Sequence, residues 1–165
     1  MQGLGLGINK KKIKNNFILS KCENMGDLTL QGCTGALDTI NKMVGNASIE
    51  LTKNALIVGY FMVDVVCVAD LSSYFSLKFR FYVANNANIA SISALFFTTI
   101  PFNYGINYVT FLLPVNGWNT FEIPLNTFTK NGAADWQTVK GLRFTVNLTI
   151  DNATEKVNFD QIEIK

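Results

Sequence analysis

The sequence predicts an all-β protein, an antiparallel β-sandwich (jelly roll) of roughly eight or nine strands with an extended N-terminal arm. Three observations carry this. Apolar and polar residues alternate at period two in run after run, turn-forming residues separate the runs, and no segment sustains a helical apolar period.

Taken in order, "NASIELT" sets Ala47, Ile49 and Leu51 against Ser48, Glu50 and Thr52. "ALIVGYFMVDVVCVA", Ala55 to Ala69, is an apolar run interrupted by Asp64. It falls short of the ~20 residues of a membrane helix and reads as a buried strand, long enough to supply an oligomer interface. "DLSSYF", Asp70 to Phe75, reads as one helical turn capped by Asp70. In "SLKFRFYV", Leu77, Phe79, Phe81 and Val83 point one way and Lys78, Arg80 and Tyr82 the other. "NTFEIPL" alternates Phe121, Ile123 and Leu125, and "GLRFTVNLTI" alternates Leu142, Phe144, Val146, Leu148 and Ile150 against Arg143, Thr145, Asn147 and Thr149. "KVNFDQIEIK" carries Val157 and Phe159, then Ile162 and Ile164, a phase slip at Asp160-Gln161 of the kind a β-bulge makes. "VGNA", "ANNANI", "FNYG", "VNGWN", "KNGAAD" and "IDNATE" supply the turns.

A chain of 165 residues has room for one domain with a real core. With 48% hydrophobic and 16% charged residues it is not a disordered linker. We divide it into a basic Gly/Lys-rich arm, residues 1–16, and a sandwich, residues 17–165. The net charge of +2 hides an asymmetry: Met1 to Lys21 holds Lys10, Lys11, Lys12, Lys14 and Lys21 with no acid, and the rest holds nine basic against twelve acidic residues. A basic arm on a mildly acidic body suits docking on a partner better than nucleic-acid binding, which needs basic side chains clustered on a folded face. "MQGLGLGINKKKIKNN" places its lysines after a short apolar part, the reverse of an export signal, and "GLGLG" lacks the strand and helix of a phosphate-binding loop. Cys22, Cys33 and Cys67 leave an odd thiol and show no C-x-x-C spacing, against both a disulfide framework and a zinc site; a Cys22–Cys33 pair stays open. The sequons at Asn46, Asn147 and Asn152 read as products of an asparagine-rich chain.

The series "CENMGDLT", "DTINKMVGNASIELT", "DLSSYFSLKFRFYVANNANI", "GWNTFEIPLNTFTKNGAADWQTVKGLRF" and "VNFDQIEIK" resembles the galactose-binding-like jelly-roll modules found among the carbohydrate-binding modules of polysaccharide-degrading enzymes and in bacteriophage structural proteins. The resemblance runs from about Phe17 to Lys165, and it implies that Trp118 and Trp136 pack rather than stack on ligands. It also implies a structural Ca²⁺ held by Glu23, the Asp38 to Asn46 turn and Asp160, an oxygen-rich set of the kind this ion takes. Solvated carboxylates at strand ends describe Glu23 and Asp160 equally well.

The chain has no histidine, the commonest general base and metal ligand, and Glu50 and Glu122 fall on outer strand faces with no sign of a shared pocket, so catalysis is not expected. Sugar binding needs exposed rings beside amides and guanidinium groups. The outward candidates are Arg80, Tyr82, Tyr108, Arg143 and Asn147, which a plain wetted sheet face explains as well. Phe102 and Tyr104, in "IPFNYG", are candidates for a loop contact with a protein partner. Two functions follow as expectations. The first is a structural part of a bacteriophage particle (capsid decoration, tail or fibre) docking through its arm on other virion proteins and facing host glycans. The second is a polysaccharide-binding module of a secreted glycan-degrading enzyme.

Overall fold

A computed structural model describes residues 16–54, 59–150 and 154–165; Lys10, Lys11, Lys12, Lys14, Asn152 and the start of the Ala55 run lie outside them. Twelve strands are seen among the described residues: β1 Phe17–Ser20, β2 Leu28–Gln31, β3 Cys33–Asp38, β4 Ser48–Lys53, β5 Tyr60–Ala69, β6 Ser76–Val83, β7 Ile89–Phe97, β8 Asn107–Leu112, β9 Gly117–Pro124, β10 Thr129–Asn131, β11 Val139–Leu148 and β12 Lys156–Ile164. They form two antiparallel sheets. Sheet A runs β3, β4, β12, β6, β9, with β1 also on β12; sheet B runs β10, β8, β7, β11, β5, β2.

The period-two pattern sets which side of each strand enters the core. Leu77, Phe79, Phe81 and Val83 of β6, Leu142, Phe144 and Val146 of β11, and Val157, Phe159, Ile162 and Ile164 of β12 are all fully buried. Phe79 centres the contact between layers, with ring centroids 4.6 Å from Phe144 across the sandwich and 5.2 Å from Phe121 and 6.1 Å from Phe159 within sheet A. Each buried ring contributes roughly 1.5–3 kcal/mol of transfer free energy. Ile150, counted with the inward set, lies past the end of β11 and is exposed.

The slip at Asp160-Gln161 is a bulge: the β12–β6 register shifts between Asp160 and Glu163, and Gln161 has φ 37. The Asp70 segment is a turn rather than a helical one. Asp70 Oδ1 accepts the backbone N–H and the hydroxyl of Ser72, so the carboxylate stabilises a tight Asx-type turn and no helix propagates. Asp135, in the "DW" pair, caps the single 3-10 turn Trp136–Thr138 through the N–H of Gln137. The indole of Trp136 then stacks on Tyr108 at 3.8 Å and meets Phe96 and Phe128 edge-on. Trp136 packs, as expected. Trp118 stands half-buried on the outer face of sheet A, beside Tyr82 at 5.5 Å.

Cys22, Cys33 and Cys67 are free and buried, and burial pushes the thiols of Cys22 and Cys67 up to about 12 and that of Cys33 to about 11. Since the thiolate is the reactive form, all three should stay silent to a colorimetric thiol reagent at pH 8 in the folded protein and react together once urea unfolds it. Fast labelling of any one without denaturant would contradict the packing around it.

Candidate functional site

The outer face of sheet B is built in rows by strand register. One row reads Asp64, Arg143, Leu95, Val109; the next Met62, Thr145, Ser93, Phe111; a third Tyr60, Asn147, Ser91. Arg143 is the centre. Its Nε donates to Asp64 Oδ1 at 2.6 Å and Nη2 to Oδ2 at 2.7 Å, a bidentate fork, while Nη1 donates to the hydroxyl of Tyr104 at 2.7 Å. The guanidinium carbon lies 5.7 Å from the ring centre of Phe97, 5.6 Å from Phe102 and 6.0 Å from Tyr104. Hydrogen bonding to Asp64 holds the Arg143 pKa above its ordinary value against the opposing effect of burial, so the charge is permanent. Gln31 reaches Asp64 at 3.3 Å, and Asn147 Nδ2 donates to Ser91 Oγ at 3.0 Å.

Around this polar strip stand exposed rings and aliphatic groups: Tyr60, Tyr104, Phe111, Val66 and Val68. Asp64 and Arg143 neutralise each other, and these three rows carry no other charge. The face therefore offers amide and hydroxyl groups beside apolar surface, without net charge, while the Arg143 guanidinium lies beneath them, buried and bonded to Asp64 and Tyr104.

Of the five residues expected to bind sugar, Arg143 and Asn147 lie here. Arg80 and Tyr82 lie on the outer face of sheet A, where Arg80 donates to Gln161 Oε1 at 2.7 Å. Tyr108 does not face outward: paired with Phe96, it points into the core, 7% exposed, with its hydroxyl donating to the carbonyl of Ala134. Phe102 and Tyr104 belong to the sheet B face rather than to a separate contact loop. Asp64 shows in the sequence only as the charge that interrupts an apolar run, and Gln31, Tyr60 and Phe111 carry no signal there.

At the bulge of β12 a second cluster forms. Asp160 is fully buried; one carboxylate oxygen accepts the N–H groups of Met43 and Val44 at 2.8 Å, and Oδ1 has no partner. Glu23 Oε1 accepts the N–H of Asn46 at 2.6 Å, and a side chain at Gly45, φ 69, would strike that carboxylate. Cys22 and Gln161, the two described non-glycine residues with positive φ, flank the same place. Glu23, Asp160 and the 43–46 turn thus converge, and the orphaned buried oxygen fits a cation ligand. Asp38 is not part of it. Its carboxylate accepts the N–H groups of Asn41 and Ile40 and the side-chain amides of Asn41 and Asn158, contacts led by Asn41 that hold its pKa below the usual carboxylate range. The stability Asp38 adds is present above that range and lost as pH falls through its lowered value. The Asn46 carbonyl is taken by Lys42 Nζ at 2.8 Å. Among the described residues no three acidic or sulfur side chains surround one point, so any ion here would rely on two carboxylates and backbone oxygens.

No protein-family model matches the sequence, and no curated protein matches it significantly. Solved structures do. A family 11 carbohydrate-binding module from Clostridium thermocellum, in complex with a β-1,3-1,4-mixed-linked tetrasaccharide, superposes with a TM-score of 0.67 at 16% identity, over 90% of this chain and 94% of that one. A family 30 carbohydrate-binding module gives 0.66 at 20% identity, over 92% and 99%. The fold is that of a carbohydrate-binding module. The chain also matches an exo-β-agarase, with a TM-score of 0.65 at 11% identity, covering 90% of this chain and 24% of that enzyme. These comparisons show the fold, which is the one the second of the two expected functions calls for. They give no support to the first, a place on a bacteriophage particle. No helix among the described residues is long and apolar enough to cross a membrane.

Proposed function

We propose that the module is a non-catalytic polysaccharide-binding domain that holds an uncharged glycan chain across the outer face of sheet B, as part of a secreted glycan-degrading enzyme. The observation that carries this reading is the Arg143 cluster: a guanidinium fixed by Asp64 and Tyr104, neutralised, on a face that also carries the exposed rings of Tyr60, Tyr104 and Phe111. Sugar rings present hydroxyl edges to such groups and C–H faces to such rings. The rows cross the four strands β5, β11, β7 and β8, about 14 Å at ~4.8 Å per strand spacing, room for two or three consecutive sugars. A large glycan-degrading enzyme in which the same fold is one part supports the enzyme context.

Affinity electrophoresis through gels containing soluble polysaccharides tests this. Retardation by an uncharged plant or algal glucan or galactan is expected, with none by a polyuronate, whose carboxylates find no unpaired cation in the three rows. A well-folded sample that runs unretarded in all of them would sink the proposal.

The Glu23 and Asp160 cluster is read as a structural Ca²⁺ site that pins the 43–46 turn to β12. Ca²⁺ at about 100 times its Kd adds about 2.7 kcal/mol, worth about 5–11 °C in Tm for a domain of this size. Chelator should lower Tm by that amount in the wild type and leave Asp160→Asn unmoved; identical melting with and without chelator would remove the ion.

A further inference from the structure

Phe97 points outward from sheet B, yet it is fully buried. The cause is Phe102, whose ring lies parallel on it, 4.6 Å between centroids and 5° between planes. Phe102 reaches that position because the neighbouring residue of the row is Gly141: a Cβ there would stand 2.5 Å from Phe102 Cζ and 3.0 Å from Cε1. Gly141 does not have a positive φ, so its backbone suits any residue. Space for the ring is what demands glycine. Two residues on, Tyr104 sets its ring edge-on to Phe97 at 5.4 Å and its hydroxyl on Arg143. The return to β8 is tied by Asn103, which accepts the N–H of Gly105 and of Ile106, and by Asn107, which donates to the Tyr104 carbonyl.

We infer that Gly141 and Phe102 are positioning residues of the glycan face, a notch and a plug that fix Tyr104 against Arg143 and so set the donor geometry the sugar meets. This rests on the proposed glycan site. Gly141 is buried beneath the plug and cannot touch a ligand itself. Its role is therefore separable from contact. Filling the notch lifts Phe102, carries Tyr104 away, and frees the Arg143 Nη1 donor while leaving the fork on Asp64 in place.

The test has two readouts. The first needs no ligand: solvent exchange of the Arg143 Nη1–H that is donated to Tyr104, followed by NMR in the whole chain. Gly141→Ala should speed it about tenfold, as should Tyr104→Phe, with the two changes together no faster than either alone. The second is glycan affinity. Gly141→Ala should weaken it about tenfold in the wild type and less than twofold in Tyr104→Phe, since a positioning effect has nothing left to position there. Unchanged exchange, or affinity losses that simply add, would overturn the inference. If no glycan binds even the wild type, the exchange arm still decides it, and only the functional reading falls. Should Gly141→Ala fail to fold, Phe102→Leu, which empties the notch, is measured in the same way with the same expected results.

Discussion

Asp64→Ala should cost about 3–5 kcal/mol of stability and abolish glycan binding. The side chains of Arg143 and Asp64 are 10% and 14% exposed, and three aromatic rings crowd the guanidinium. Removing the carboxylate leaves a permanent cation with little water and without two of its three hydrogen bonds. The loss is that of an orphaned charge rather than the net worth of the pair. A second variant separates the two. Asp64→Leu with Arg143→Met replaces both partners by apolar groups of similar size, and such replacements are often neutral or better in stability. The double variant should recover most of the urea midpoint yet still not be retarded by polysaccharide. A loss below about 1 kcal/mol for Asp64→Ala would mean that water solvates the guanidinium after all.

Phe79→Ala should cost a similar amount, about 3–5 kcal/mol, for a different reason. Phe79 touches rings from both sheets, so truncation empties the middle of the sandwich where neither layer can collapse without moving the other. The measurable result is a fall of about 6–20 °C in Tm, given the 2–4 °C per kcal/mol usual for domains of this size. Glycan affinity per folded molecule should not change, because Phe79 belongs to the inner side of sheet A and the proposed binding face to the outer side of sheet B. A fall of only a degree or two would place the ring outside the core. A matching loss of affinity would mean that the two sheets are coupled through the core.

Much of this was legible in the residues themselves. Where one side of a strand is uniformly apolar, as in β6, β11 and β12, alternation identified the buried set, and the phase slip marked the bulge at Asp160. The strand count came out low because β10 is three residues long and β2 and β3 are parted by a single residue, Gly32 with φ 75. The site was less legible. In "NYVTFL" of β8 both alternating sets are partly apolar, Asn107, Val109 and Phe111 against Tyr108, Thr110 and Leu112, so nothing local says which faces the core, and Tyr108 faces inward against the expectation. The Arg143 cluster joins residues 79 and 39 positions apart, and only strand register and loop packing bring them together. Gly141 gave no sign at all, since a glycine required by a distant ring looks like any other glycine in a strand.

The pairing of β1 with β12 sets Phe17 opposite Ile164, so the two ends of the folded part sit side by side in sheet A. Any polypeptide attached before Phe17 or after Lys165 is therefore tethered on the sheet opposite the proposed glycan face. The same closeness makes residues 17–165 a cassette: spliced into a surface loop of another protein, the unit needs its host to open by only about 5 Å. A neighbour on either side could then be exchanged without crowding Arg143 and Tyr104.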